Sequence, residues 1–435
     1  MSTTDFVPPI EQLDRRPTWI DAFTATSARR VITLGALLLV VLSVTRILTD
    51  TDDLTSSGTM GTTLRLTIPI LLAGLAGLWA ERSGVLNIGI EGMMIFGTWF
   101  GAFGAWKVSP WLGLLLGIAG GVAAGLVHAV ATVRFNVDHV ISGVAINLLG
   151  AGGMRYLSEL VFVGEEGGGI SQSPKQKAPI PSFDVPFLAG GHIGGWTSPD
   201  VLGWFERKHW IIVGDLAGIT RGLFFNISWA TIIGLVLVAV STWVLWRTRF
   251  GLRLRSSGEA PSAAESLGVR IVRVRYAGLL ISGGFAGLGG AYLSIVSSSY
   301  YRQGQTAGRG FIGLATMISG NWRPFGVLGF ATVFGFSDAF LLRDQDKITS
   351  LFLFITFIAG LMMIASMYRR RVVSATSAAL VGVLFLIAKL TIDEVPESLT
   401  QATPYLVTLI VLSTASQRLR PPAHAGIPWR PGDNH

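Results

Sequence analysis

The stretch Arg247–Arg275, RTRFGLRLRSSGEAPSAAESLGVRIVRVR, lies between two apolar runs, 227–246 and 276–297, each near the ~20 residues that cross a hydrocarbon core. It carries seven arginines and no lysine. A polar insert between two such runs is a surface loop of a chain that threads a bilayer, so this stretch decides the fold: an all-α polytopic membrane protein. Composition agrees. Of 435 residues, 50% are hydrophobic and 14% charged, against about 25% charged in a soluble domain, too little polar surface for a globule of this size. Glycine reaches 54 residues, above the usual ~7%, as close helix packing in lipid favours. The absence of cysteine excludes disulfides, thiolate metal sites and cysteine nucleophiles. A net charge of +8 would suggest nucleic acid for a soluble chain; here arginine placement matters more than its total, and no nucleic-acid partner is expected.

Further apolar runs lie at 31–49, 63–80, 85–106, 111–133, 139–162, 348–367 and 372–391, with shorter ones at 309–320, 325–341 and 404–416. The runs at 309–320 and 325–341 flank GNWRP, where Pro324 discourages a continuous helix, and read as a broken or re-entrant pair. The expectation is about ten transmembrane helices plus that hairpin. Residues 1–30 hold Asp5, Glu11, Arg15 and Arg16 and no early apolar core, and no small-residue cleavage pattern follows the run at 31–49, so that run reads as a retained anchor rather than a signal peptide and residues 1–30 as a cytoplasmic tail. The remaining divisions are a transmembrane domain over 31–416 and a tail over 417–435.

Arginine in short loops marks the cytoplasm. The N-terminal tail (Arg15, Arg16, Arg29, Arg30), the loop 247–275, Arg369–Arg371 and the C-terminal tail (Arg418, Arg420, Arg430) are basic. DTDDLTSSG and DEVPESLTQ hold no basic residue, and alternation places both outside together with the long loop 163–226. Both termini are then cytoplasmic, in a multi-pass protein of the cell membrane.

Within the opening stretch, Pro261 suits a helix first turn and Gly268 a left-handed terminus. The short helix between them places Ala263, Ala264 and Leu267 on one face, suited either to a groove on a partner or to the headgroup layer.

GLRLRSSGEAPSAAESLGVRIVRVRYAGLLISGGFAGLGGAYLSI resembles the cytoplasmic coupling segment and following helix of ATP-binding-cassette (ABC) importer permeases of the branched-chain amino acid, ribose and nucleoside family. LTIPILLAGLAGLWAERSGVLNIGIEGMMIFG (67–97), GRGFIGLATMISGNWRPFGVLGFATVFGFSDAF (308–340) and PYLVTLIVLSTASQRLRPPAHAGIPWRP (404–431) resemble its nucleoside or simple-sugar branch. The similarity runs from about residue 60 onward; the N-terminal extension and the 163–226 loop depart from it. The resemblance implies a second permease subunit, two ATP-binding subunits and an extracytoplasmic solute-binding protein, often a lipoprotein. It also implies that Glu259, Ala260, Pro261, Ala263, Ala264, Leu267 and Gly268 form the element through which the ATPases drive the membrane helices.

None of the six lysines follows a glycine, so no Walker phosphate loop is present and any ATP is used by partner subunits. No histidine pair has metal-ligand spacing, and no carboxylate pair or serine elbow suggests hydrolysis. The chain reads as no enzyme, binding neither cofactor nor metal. The rival classes are a stand-alone ion- or proton-coupled secondary transporter, marked by ionisable residues deep in the spans, and an ion channel, marked by charged rings or a filter loop.

Polar residues within spans point to a solute path. Asn87 and Glu91 share a helix face at i and i+4, after a turn at Glu81–Gly84, either lining the path or closing an internal contact. Asn147, with Ser142 about a turn and a half away, either bonds the solute or ties two helices. Asn321 in the GNWRP break and Asp338 are the second-half candidates, Asp338 alternatively sitting at the outer interface. No cation lies deep in a span, which disfavours a strongly anionic solute.

GGFAGLGG (283–290) resembles a nucleotide loop but lies inside an apolar span, so Gly283, Gly287 and Ala291 read as a packing stripe, repeated by Gly117, Gly121 and Gly125. ILLAGLAGLWA (70–80) and LLISGGFAGLGGA (279–291) are each followed by a broken polar segment, as inverted repeats around a midplane site would be. In the 163–226 loop, GWFERKHWIIVGDLAG is the stretch suited to an interfacial helix, as either a platform for the solute-binding protein or a lipid-facing flap.

Overall fold

The computed structural model describes residues 27–343, 349–368, 370, 372–392 and 419–430. The tail before residue 27, Arg369, Arg371, Arg418, the DEVPESLTQ segment and the expected 404–416 span lie outside the described residues.

The described chain is predominantly helical. Helix α1 (Ser27–Thr49) leads by a short 3-10 turn to α2 (Ser57–Arg82), whose Ser56 cap accepts the Thr59 N–H at 3.2 Å. Then come α3 (Ile90–Lys107), α4 (Pro110–Ala129), α5 (His139–Val161), the short α6 (Val201–Glu206) and α7 (Val213–Phe224), and α8 (Trp229–Arg247). The opening stretch folds into α9 (Arg249–Glu259) and α10 (Pro261–Ser266), followed by α11 (Ile271–Tyr292), α12 (Arg309–Ser319), α13 (Pro324–Arg343), α14 (Thr349–Tyr368) and α15 (Val372–Thr391). The strands are two-residue pairs: β1 (Ser182–Phe183) lies against β4 (Ile227–Ser228), and β2 (His192–Ile193) against β3 (Trp196–Thr197).

Eight described helices are long and apolar enough to cross a membrane: α2, α4, α5, α8, α11, α13, α14 and α15. The run at 85–106 begins its helix only at Ile90, leaving 83–89 as non-helical chain inside the bundle. The pair around GNWRP is broken as its proline requires, yet unequal, with α12 at 11 residues and α13 at a full 20.

Helix α2 is the hub, buried continuously from Thr67 to Glu81. Around it, glycine lets backbones touch. A Cβ at Gly121 of α4 would meet Gly283 O and Gly287 Cα of α11, and one at Gly97 of α3 would meet Gly287 as well. The two glycine stripes thus pack on each other, which supplies the dispersion contacts that hold helices together where lipid offers no hydrophobic drive. Hydrogen bonds between helices add to this: Trp79 Nε1 to Ser241 Oγ (3.1 Å), Trp99 Nε1 to Ser158 Oγ (2.9 Å), and the Tyr292 and Thr231 hydroxyls (2.7 Å).

The 163–226 segment sits at the N-terminal end of α2, pinned by charge. Arg221 reaches Asp200 (2.8 Å) and Glu206 (3.3 Å), Glu206 accepts Ser57 N–H (2.8 Å), and Arg46 pairs with Asp215 (2.8 Å). The single interfacial helix expected over GWFERKHWIIVGDLAG is two, α6 and α7, because His209 and Ile212 adopt left-handed backbone (φ 51° and 67°) between them.

Candidate functional site

Between α2 and α3 the chain reverses inside the bundle. Gly84 (φ +96°) permits the turn, and the loop it starts is held from several helices. Asn87, wholly buried, donates from Nδ2 to Ser282 Oγ of α11 (3.0 Å) and accepts Gly89 N–H (3.0 Å). Asn147 of α5 accepts Gly92 N–H (2.7 Å) and donates to Ile88 O (3.1 Å), so one amide satisfies a first-turn N–H of α3 and the carbonyl before it. Ser142 lies 2.8 Å from His128 Nδ1, and His128 Nε2 lies 3.2 Å from Leu86 O, an arrangement met when Nε2–H donates and Nδ1 accepts. His139 Nδ1 accepts Leu86 N–H at 3.3 Å.

Glu91, in the first turn of α3, accepts Gly308 N–H on Oε1 (3.0 Å) and Gly310 N–H on Oε2 (2.7 Å). Those amides open α12, whose cap Gly308 is left-handed (φ 75°). One carboxylate therefore serves the N-terminal ends of two helices, where unsatisfied N–H groups and the positive helix ends favour an anion. A Cβ at Gly310 would meet the Glu91 backbone at 2.6 Å, so glycine sets the approach. One turn on, Gly313 packs on Ala73 and Gly74 midway along α2, which puts the junction deep in the bundle. Arg309 beside it pairs with Asp338 of α13 at 3.3 Å. A cation thus lies inside the bundle against expectation, neutralised by its carboxylate.

A second network occupies the C-terminal end of α2. Trp322 Nε1 donates to Glu81 Oε2 (2.6 Å), Arg82 donates to Trp322 O (3.0 Å) and pairs with Glu259 (3.4 Å), and Ser257 Oγ donates to Ser83 O (2.9 Å). The tail 419–430 binds all of these parts together. Arg420 N–H reaches Asn321 Oδ1 (2.8 Å), Ala423 N–H reaches Glu259 (3.3 Å), His424 N–H reaches Gly258 O (2.8 Å) and Gly426 N–H reaches Gly84 O (3.3 Å). Trp429, buried, packs on Ala264 and Ile271 with the Arg275 guanidinium 5.8 Å from its ring.

Helix α10 begins at Pro261 after the exposed Ala260 and ends in paired reverse bonds, Gly268 N–H to Glu265 O (2.8 Å) and Val269 N–H to Ala264 O (3.0 Å), with Gly268 at φ 83°. The structure divides the three side chains expected on one face. Ala264 turns inward onto Trp429, while Ala263 and Leu267 face out, Leu267 at 85% exposure.

The structure thus gathers Asn87, Glu91, Asn147 and, through His128, Ser142 around residues 83–92, with Asp338 joined through Arg309. Asn321 instead belongs with the 247–275 end. Sequence reading missed Gly308, Gly310, Arg309, His128 and His139; only the glycine pair flanking an arginine in GRG, at a helix start, signalled a close approach. Among the described residues no cluster of His, Cys, Asp and Glu could hold a metal ion.

A family model described as branched-chain amino acid transport system, permease component, matches residues 59–367. The chain is 34% identical over 284 residues to the guanosine ABC transporter permease protein NupQ of Bacillus subtilis, an alignment covering 64% of this chain and 79% of that one. It is 32% identical over 276 residues to the nucleoside ABC transporter permease protein NupC of Lactococcus lactis (61% and 76%). With the putative glucose ABC transporter permease protein TsgC13 of Haloferax volcanii it shares 33% over 296 residues (67% and 79%). No solved structure matches this chain.

Proposed function

We infer what this chain moves, and how it is driven, from the premise that it belongs to the family of permease components of branched-chain amino acid transport systems. It is a membrane-spanning permease subunit of an ABC importer, a multi-pass protein of the cell membrane that works with ATP-binding and substrate-binding partners. We propose a nucleoside as its solute, which the names of the guanosine and nucleoside relatives support; a simple sugar is the second reading, supported by the relative named for glucose. A stand-alone secondary transporter draws no support from these relatives.

In this proposal the 247–275 end faces the cytoplasm, both termini lie on that side, and the 163–226 segment faces out, as the arginine distribution favours. Two ATP-binding subunits, which use the ATP, act on a pair of permease chains, and a solute-binding lipoprotein delivers from outside. The observation that carries the mechanism is Glu91 joining the starts of α3 and α12 deep in the bundle. Force on α10 passes through Glu259–Arg82 and Ser257–Ser83 to the loop 83–89 and the break at Asn321. These anchor the start of α3 and the far end of α12, so their movement pulls α3 and α12 apart where Glu91 joins them and opens the path there, with Asn87, Ser142, Asn147 and Asp338 as its polar supports and Asn321 at the break that transmits the movement.

The test is uptake of tritiated guanosine by proteoliposomes holding this chain with its ATP-binding partners and its solute-binding protein. ATP-dependent, vanadate-sensitive uptake is expected. Uptake stopped by an uncoupler and indifferent to vanadate would overturn the reading.

A further inference from the structure

The loop 298–308 that joins α11 to α12 stands between the 163–226 segment and the Glu91 junction. It is firmly held: Tyr301 N–H donates to Ser173 Oγ (2.9 Å), and Gln303 N–H to Ser171 O (2.8 Å). Ser299 and Ala307 are nonetheless left-handed (φ 65° and 46°), and such backbone strain, kept by surrounding contacts, gathers at ligand sites. The loop shapes a cavity of about 330 Å³ lined by Ser298, Arg302, Gln303, Gly304 and Gln305, a size within the ~300–1,000 Å³ of small-molecule sites.

Gln305 gives the cavity its chemistry. Its Oε1 accepts Arg302 N–H at 2.9 Å, which fixes the amide, while its Nε2 is buried with no hydrogen-bond partner among the described residues. A buried donor held without an acceptor is unfavourable as it stands and is matched by a ligand that brings one. Beside it the Arg302 guanidinium donates to the Tyr300 hydroxyl, with its carbon 5.3 Å from the ring centroid. A planar cation so held can stack with a flat heterocycle, a contact that a sugar alone does not offer. The lining holds no carboxylate, so nothing there repels the lone pairs of a base.

We propose that this cavity is a nucleoside-binding site ahead of the Glu91 junction, in which Gln305 Nε2 donates to an acceptor on the base edge, Arg302 stacks on the base, and Ser298 and Gln303 serve the ribose hydroxyls. The site rests on the permease reading above and deepens it: the solute waits there, three residues from the Gly308 amide that Glu91 holds.

The experiment uses the full complex in proteoliposomes with 8-azidoguanosine as photoprobe and mass spectrometry of the labelled peptides. Labelling is expected within 298–305, competed by guanosine and not by glucose. Gln305→Glu retains the acceptor for Arg302 N–H and deletes the free donor; it should weaken guanosine competition about tenfold, the effect of one buried hydrogen bond. Gln305→Leu removes both functions and serves as the second variant, with co-purification of the ATP-binding partners reporting that each variant folds. Labelling elsewhere, competition by glucose, or Gln305→Glu matching wild type in a correctly assembled complex would overturn the site. Wild-type proteoliposomes that take up guanosine while showing any of these results sink the site alone; wild-type proteoliposomes that take up none sink the parent reading.

Discussion

Glu91 and Gly310 stand 219 positions apart in the chain, and the carboxylate of one receives the backbone N–H of the other at 2.7 Å. With the Gly308 bond beside it, this closes two helix starts on one side chain. Replacing the carboxylate by alanine strands two buried N–H groups at about 1–3 kcal/mol each. Glu91→Gln keeps an acceptor for one of them but offers a competing donor to the other. Glu91→Gln should lower guanosine uptake at least several-fold while the complex still assembles and hydrolyses ATP, and Glu91→Ala should also lower thermal stability in detergent. Wild-type uptake in Glu91→Gln would remove the carboxylate from the path.

Asn147→Leu tests the other half of the junction. It strips a partner from both Gly92 N–H and Ile88 O, so the start of α3 loosens. Reduced uptake with a lowered melting temperature is expected; Asn147→Asp, which keeps the acceptor for Gly92, should retain more of both.

The packing of α4 on α11 makes a graded prediction. A side chain at Gly283 meets the Gly121 carbonyl and the Gly125 Cα, whereas one at Gly284 meets Val122 and Ile118 side chains at 3.4 and 3.7 Å, ordinary contact. Gly283→Ala should therefore destabilise the bundle by about 1–3 kcal/mol, as overpacked cores do, and Gly284→Ala should be near neutral. Equal melting temperatures for the two variants would mean that the helices do not meet backbone to backbone.

The glycine stripes were legible because a three- and four-residue spacing inside an apolar run has one economical packing use. The spans were legible from apolar length and the break from Pro324. What escaped was pairing at long range. Glu91 and GRG each look locally like an ordinary helix start, and nothing in either says that the other is its partner. Ala264 looked like half of an outward face with Ala263 until Trp429, 165 positions later, turned out to cover it. The split of α6 from α7 depended on left-handed backbone at His209 and Ile212, residue types that do not announce it.

Orientation is open to direct labelling because the chain has no cysteine. Ser266→Cys at the exposed end of α10 should react with an impermeant maleimide only after permeabilisation, and Thr197→Cys in the 163–226 segment should react in intact cells. The reverse pattern would invert the topology and place the coupling helix on the wrong side for ATP.

The division of α10 separates docking from folding. Ala263 and Leu267 face outward, so Ala263→Glu or Leu267→Asp leaves the contacts of the fold in place and alters only what meets the helix from outside. Ala264→Glu is different in kind, because it drives a carboxylate against Trp429 and Ile271 with no partner to offset its burial, and should lower stability as well as coupling. Gly268→Val acts on the backbone: a β-branched residue at φ 83° carries a penalty of about 1–3 kcal/mol and frays the helix terminus that orients Leu267. Co-purification of the ATP-binding subunits, guanosine-stimulated hydrolysis and the melting temperature should therefore sort the four variants. The two outward changes should lose partner and stimulation at an unchanged melting temperature, Ala264→Glu should lose all three, and Gly268→Val should lose stimulation first. If Ala263→Glu and Leu267→Asp retain both the partner and the stimulation, α10 is not where the ATPase pushes, and its exposed leucine belongs to the headgroup layer.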